Sequence, residues 1–226
     1  MHGYEALPAL MSRMTGDEKH GPSATSTLDV LWTLYDRVLE VTPEGLDAPE
    51  RDRFILSKGH GPMAYYAVLA AKGFFPCAWL EGYGGFDSPL GQHPDRALIP
   101  GVEFASGSLG HGLPVALGVA LALEQRGVPK AQVFVLIGDA ELDEGSNHEA
   151  IALAGRLGLG RLTAIVIDNS SSSHGWPGGI GQRFALEGWA ATEVDGHDPE
   201  ALFQALSAEA GPEPRAVVAR TRAKWG

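Results

Sequence analysis

The strongest constraint on this chain is a pair of β-favouring runs, Gln132 to Ile137 and Leu162 to Ile167, with one helical pattern between them. Each run is close to continuously apolar, which predicts strands buried on both faces of a parallel sheet. Between them, Ser146 and Glu149 have capping-box spacing, Ala150, Ile151, Leu153, Ala154 and Leu157 fall on one predicted buried side, and Gly158 closes the helix. Strand, helix and strand in this order form a βαβ unit, right-handed in nearly all cases, so the residues that follow both strands emerge at one carboxyl edge. A chain of 226 residues, 44% apolar, suffices for one sizeable α/β domain.

The remaining elements fit around that unit. Ser26 to Leu39 places Leu28, Leu31, Leu34, Tyr35 and Val38 at helical spacing, and Val41 to Arg53, with its acids and prolines, reads as a loop. A second helix is predicted over Met63 to Ala71, stopping at Gly73, and a third after Gly110-His111-Gly112-Leu113-Pro114 that runs to Leu123 with many small residues. Gly82 to Pro100 is rich in glycine and proline and reads as an ordered, irregular loop long enough to carry function. Asp198-Pro199-Glu200 opens a further helix, and Arg215 to Thr221 supplies a last strand. A net charge of -11 argues against nucleic acid or an anionic membrane as partner. The one cysteine, Cys77, excludes a disulfide framework and reads as a buried inert thiol. No run reaches the roughly 18 apolar residues of a membrane span, and residues 1 to 19 lack a signal-peptide core, so the expected location is cytoplasmic.

Chemistry concentrates just after the two strands. Gly138-Asp139-Ala140-Glu141-Leu142-Asp143-Glu144-Gly145 follows the first and Asp168-Asn169-Ser170-Ser171 the second, with Asp139 and Asn169 30 positions apart. A carboxylate and an amide at adjacent strand ends are hard oxygen ligands for a Mg²⁺ that also holds a diphosphate. Asp139 alone is equally open to helix capping or to a nucleotide or phosphotransfer site. The tract Ser170 to Ser173 would ordinarily be a surface loop, but its position directly after Asn169 favours a binding element. His20, His60, His93 and His111 stand in glycine- or proline-flanked segments without the i, i+4 spacing of a zinc site, which favours substrate contact or proton transfer.

In order along the chain, Lys19-His20-Gly21-Pro22, Asp52-Arg53-Phe54-Ile55-Leu56-Ser57-Lys58-Gly59-His60-Gly61, Gly91-Gln92-His93-Pro94, Gly107-Ser108-Leu109-Gly110-His111-Gly112 and the Asp139 block through Asn169 resemble the thiamine-diphosphate-binding half of transketolases. The resemblance spans about residues 19 to 222. It implies an α/β three-layer sandwich with a mainly parallel central sheet and helices on both faces, as a single diphosphate-binding domain over residues 1 to 226. It implies thiamine diphosphate as cofactor, with Mg²⁺ (or Ca²⁺ or Mn²⁺ in its place) held by Asp139, Asn169 and the carbonyl of Ser171. Gly107, Leu109, Gly138 and Ala140 would line the cofactor, and His60 would touch the diphosphate or the reacting centre. His20 and His93 would move protons at a sugar donor, and Glu144 and Glu149 match acids that connect paired active sites. The implied reaction moves a two-carbon ketol unit from a ketose to an aldehyde.

Two departures qualify this pattern. Ala140 stands where the family usually has glycine, and the serine-rich loop after Asn169 is polar and shortened. The chain stops at Gly226, where a full-length transketolase continues into the pyrimidine-binding and C-terminal domains. The resemblance therefore implies the small subunit of a split enzyme, inactive alone, completed by a second subunit in a heterotetramer. A subunit of another thiamine enzyme, of the 2-oxoacid dehydrogenase or deoxyxylulose-phosphate synthase type, and a non-catalytic cofactor-binding subunit are the alternatives.

Overall fold

Five parallel strands make one sheet in the order β1-β2-β3-β5-β4, where β1 is Arg53–Leu56, β2 Val133–Gly138, β3 Leu162–Asp168, β4 Ala190–Asp195 and β5 Arg215–Arg220. The computed structural model describes residues 2–15, 21–59, 61–128 and 130–222. Its helices are α1 (Leu7–Met11), α2 (Gly21–Thr33), α3 (Met63–Ala71), α4 (Gly112–Gln125), α5 (Gly145–Leu157), α6 (Ile180–Leu186) and α7 (Pro199–Leu206). No described helix is long and apolar enough to cross a membrane.

The two apolar runs form β2 and β3, paired from Val133 against Leu162 to Gly138 against Ile167. Every residue of β2 is buried because both faces are covered. Phe134 and Leu136 join β1, α2, α3 and α7 in one core, and Val133, Val135 and Ile137 join α4, α5 and α6 in the other. Helices on both faces of a parallel sheet give the three-layer α/β architecture. Gly158 closes α5 in the left-handed conformation at φ 62°. Asp198 caps α7 by accepting from the N–H groups of Glu200 and Ala201.

Several expectations change. The segment 41–53 read as loop ends in β1, whose four residues Arg53 to Leu56 are too few to show a period. β4 escapes the sequence reading because it is an edge strand, five of its six residues exposed and their types mixed. The first helix starts at Gly21 and stays regular to Thr33, then widens into a π turn, Leu34–Val38, where the Leu39 N–H reaches the Leu34 carbonyl at 2.8 Å. The Ser146–Glu149 capping box does not form: Ser146 Oγ donates to the Gly110 carbonyl at 2.6 Å, and α5 starts after Glu144 without a side-chain cap. Leu153 and Leu157 point outward, 46% and 49% exposed, while Ala150, Ile151 and Ala154 meet the core. The buried stripe of α5 is narrower than the sequence implied. Cys77 is partly exposed, with its Sγ 3.8 Å from the Ala70 carbonyl.

The seat of α5 depends on Gly155. A Cβ there would lie 1.7 Å from the backbone carbonyl oxygen of Glu187, so only glycine lets the helix approach this closely. Gly118 on α4 has nothing within 4 Å of its Cβ position. Gly155→Ala should therefore destabilise the chain by about 1 to 3 kcal/mol, whereas Gly118→Ala should stabilise it by about 0.5 to 1 kcal/mol. Denaturant midpoints of the two variants check the opposite signs.

Candidate functional site

The carboxyl ends of β1, β2 and β3 release Ser57, Asp139 and Asn169 onto one edge, as the βαβ handedness requires. Asp139 is held there by its own N–H, which donates to the Ile167 carbonyl at 3.0 Å. Both Asp139 and Asn169 are 1% exposed. The Asp139 carboxylate accepts from the N–H groups of Ala140 (2.9 Å), Ser171 (2.7 Å) and Ser172 (3.1 Å) and from the Ser171 hydroxyl (2.5 Å). The serine tract thus lies against the strand end. Ser170 reverses the chain at φ 55°, and among the described residues it alone, of those other than glycine, has a positive φ.

Asn169 is different. Its Oδ1 is buried and has no hydrogen-bond partner, an expensive state for an amide oxygen. A cation satisfies such an oxygen, and a carboxylate beside it is the matching hard ligand. Among the described residues no three His, Cys, Asp or Glu side chains converge as a metal cluster, so a metal here would draw on amide and backbone oxygens as well as Asp139. The Asn169 oxygen fits a hard divalent ion, and Asp139, each of whose oxygens accepts two hydrogen bonds, would exchange serine-tract donors for it.

Ala140 opens a short 3₁₀ turn, Ala140–Asp143, in which alanine adopts an ordinary negative φ. Its methyl group therefore introduces no backbone strain at the site. Gly138, the last residue of β2, donates to the carboxylate of Glu141 at 3.3 Å. Gly107 has φ 135°, and a Cβ on it would lie 3.1 Å from the His93 ring. Leu109 meets Gly59, whose Cβ position is 3.0 Å from Leu109 Cδ2. The His93 loop is tied down where Tyr66 donates to the Gly91 carbonyl at 2.9 Å and Ser106 N–H donates to the Pro94 carbonyl at 3.3 Å. His93 is exposed, as are His111, Glu144 and Glu149. His20 and His60 lie outside the described residues. The structure thus brings Gly107, Leu109 and His93 together with the Gly59 loop, and Asp139 together with Ala140 and Ser171, while Glu149 stands away on the outer side of α5.

The residue that organises this edge is one to which the sequence pattern gives no role. Glu141 is 2% exposed and takes donors from three segments: the Ser57 hydroxyl after β1, the Gly110 N–H before α4 (3.0 Å) and the Gly138 N–H of β2. Ser57 Oγ in turn accepts from Gly112 N–H at 3.0 Å, and Asn147 Nδ2 donates to the Glu141 carbonyl at 2.7 Å. Gly112 is obligatory here, since a Cβ would lie 2.2 Å from the side chain of Ser57. A signal existed: one acid flanked by Ala140 and Leu142, directly after a wholly buried strand, needs internal partners. Burial pushes the Glu141 carboxyl up, against the lowering effect of its hydrogen bonds and of nearby Lys58.

Phosphate- and cofactor-binding α/β proteins place their ligands at this carboxyl edge, and the comparisons give the family within that class. The model described as "Transketolase, thiamine diphosphate binding domain" matches residues 14–223. This chain belongs to that family. It is 56% identical over 216 residues to "Ferredoxin fas2" of Rhodococcoides fascians, covering 96% of this chain and 71% of that protein. It is 39% identical over 209 residues to an apulose-4-phosphate transketolase subunit of Actinobacillus succinogenes, covering 89% and 75% respectively. The structure of transketolase from Leishmania mexicana superposes with a TM-score of 0.81 at 29% identity, over 100% of this chain and 38% of that one. The chain thus spans about two fifths of that solved enzyme. With Cys77 as its one cysteine, it cannot by itself supply the four thiolates of a common iron–sulfur cluster.

Because Glu141 has a higher pKa folded than unfolded, its contribution to stability is fully present below the unfolded value and is lost as pH rises through the folded one. Denaturation of the wild type from about pH 4 to 8, a range that brackets the ordinary glutamate value, should show that decline. The Glu141→Gln variant should lack it while being less stable at the acid end.

Proposed function

We propose that this chain is the diphosphate- and metal-holding subunit of a two-chain transketolase that transfers a two-carbon ketol unit from a ketose to an aldehyde. The observation that carries this reading is the buried pair at adjacent strand ends, Asp139 with Asn169, whose Oδ1 has no partner. In this reading Asp139, Asn169 and the backbone of Ser171 hold Mg²⁺, residues 1 to 226 act as one diphosphate-binding domain, and Gly107, Leu109, Gly138 and Ala140 form the wall beside the cofactor. When bound, thiamine diphosphate supplies the carbon nucleophile and the electron sink of the reaction.

The protein's own tasks are positional. Glu141 and Ser57 fix the loops that carry Gly59 and Gly110, so the cofactor edge is rigid before anything binds. In this reading His93 and His20 take and return protons at substrate hydroxyls, and His60 touches the diphosphate or the reacting centre. Glu149, Leu153 and Leu157 repeat every four residues on the exposed side of α5, a ridge suited to burial against the second chain and to the role assigned to Glu144 and Glu149 between paired sites. The relative from Actinobacillus succinogenes, 75% of whose length this chain covers, is by name one subunit of a transketolase, which supports the same division.

Asp139→Ala should lower Mg²⁺-dependent thiamine-diphosphate affinity of the reconstituted complex by about 100-fold or more, with circular dichroism unchanged. Unchanged affinity by calorimetry refutes the metal site. Ketol transfer should require the partner, and activity from the isolated chain would sink the two-chain reading.

A further inference from the structure

At the end of the sheet opposite Asp139, where the strands begin, a cavity of about 570 Å³ opens between α7, the π turn after α2 and the first residues of β2 and β5. Phe134, Phe203 and Leu206 give it apolar wall, and Lys130, Gln132 and Arg215 give it polar groups. Arg215 is 8% exposed, and among the described residues no carboxylate pairs with it. Its Nη1 donates to the Ala208 carbonyl at 2.6 Å and its Nη2 to the Leu206 carbonyl at 3.5 Å, while Nε has no partner. Two carbonyls answer a group with five N–H donors. A buried cation without counter-charge is costly, and such a group calls for an anion.

Two more unsatisfied atoms share this end. Thr163 stands directly opposite Arg215 in the paired strands β3 and β5, and its Oγ1 is buried without a partner. Gln132, one position before β2, lines the cavity with Oε1 equally unpartnered. Three of the six such side chains among the described residues therefore lie here, remote from the Asp139 edge. Capping the end of α7 explains the two carbonyl contacts of Arg215. It leaves the three orphaned atoms and the open cavity unexplained.

We propose that this cavity is a binding site for a small hydroxycarboxylate, its oxyanion on the Arg215 guanidinium and its apolar body against Phe134, Phe203 and Leu206. A planar carboxylate matches the guanidinium fork. Asp52 and Glu40 line the same cavity and disfavour a doubly charged phosphate. Gln132 Oε1 is an acceptor and needs a donor, which the ligand's hydroxyl provides. A cavity of about 570 Å³ with Phe134, Phe203 and Leu206 in its wall suits an aromatic acid and not a two-carbon fragment.

The test titrates the full chain with 4-hydroxybenzoate by calorimetry and by amide chemical shifts, with inorganic phosphate as comparison. Saturable 4-hydroxybenzoate binding that shifts residues at the starts of β2 and β5 is expected. Arg215→Gln should weaken it by about tenfold or more, the scale of a lost charge-assisted hydrogen bond. Because Arg215 also anchors α7, Gln132→Leu serves as the second variant and should weaken binding by about fivefold, the scale of one neutral hydrogen bond. Absence of saturable binding, equal affinity for inorganic phosphate, or affinity unchanged in Gln132→Leu overturns the assignment.

Discussion

The carboxylate of Glu141 is the constraint on which the ligand-facing edge depends. One buried acid draws the end of β1, the last residue of β2 and the loop before α4 to a single point. Each hydrogen bond to a charged group is worth about 1.5 to 3 kcal/mol, yet burial outweighs them and is the largest influence on the group's ionisation. The arrangement is therefore poor as a source of stability and effective as a source of position. Without it, Ser57 and Gly110 have no shared reference, and the loops that carry the motifs of the edge lose their registration.

The cost is accepted at other points of the same edge. Ser170 adopts a left-handed backbone that glycine would take without strain, and by doing so it returns the serine tract to Asp139. Gly112 permits a contact with Ser57 that any side chain would block. Backbone strain, a buried acid and an orphaned amide oxygen on Asn169 are concentrated within a few residues of three strand ends, where a binding surface tolerates what a packed core does not.

How far the sequence could be read follows from how each residue is buried. β2 and β3 were legible because they are interior strands, and total burial leaves only apolar residues there. Asp139 and Asn169 were legible because the handedness of one βαβ unit places both at the same edge. β4 was not, since an edge strand with solvent on most residues has no pattern to show. The outward turn of Leu153 and Leu157 was hidden because leucines at helical spacing read as a core face whether or not the fold buries them. Ser146 has the spacing of a local cap, but the Gly110 carbonyl, 36 positions away, takes its hydroxyl. Long-range claims on a side chain of this kind leave no local trace.

The wholly parallel topology also dictates when the edge is assembled as the chain folds. Each pairing joins strands that are far apart in sequence, and the Ser57–Glu141 contact spans 84 positions. Closing a loop of that length costs entropy before any contact offsets it, and high contact order slows folding. The βαβ unit from β2 to β3 is more local than the pairing of β1 with β2 and can form before it. On contact order alone β1 is expected to dock afterwards, which makes the ligand-facing edge a late event in folding, after the two strands that lead to Asp139 and Asn169 have found each other.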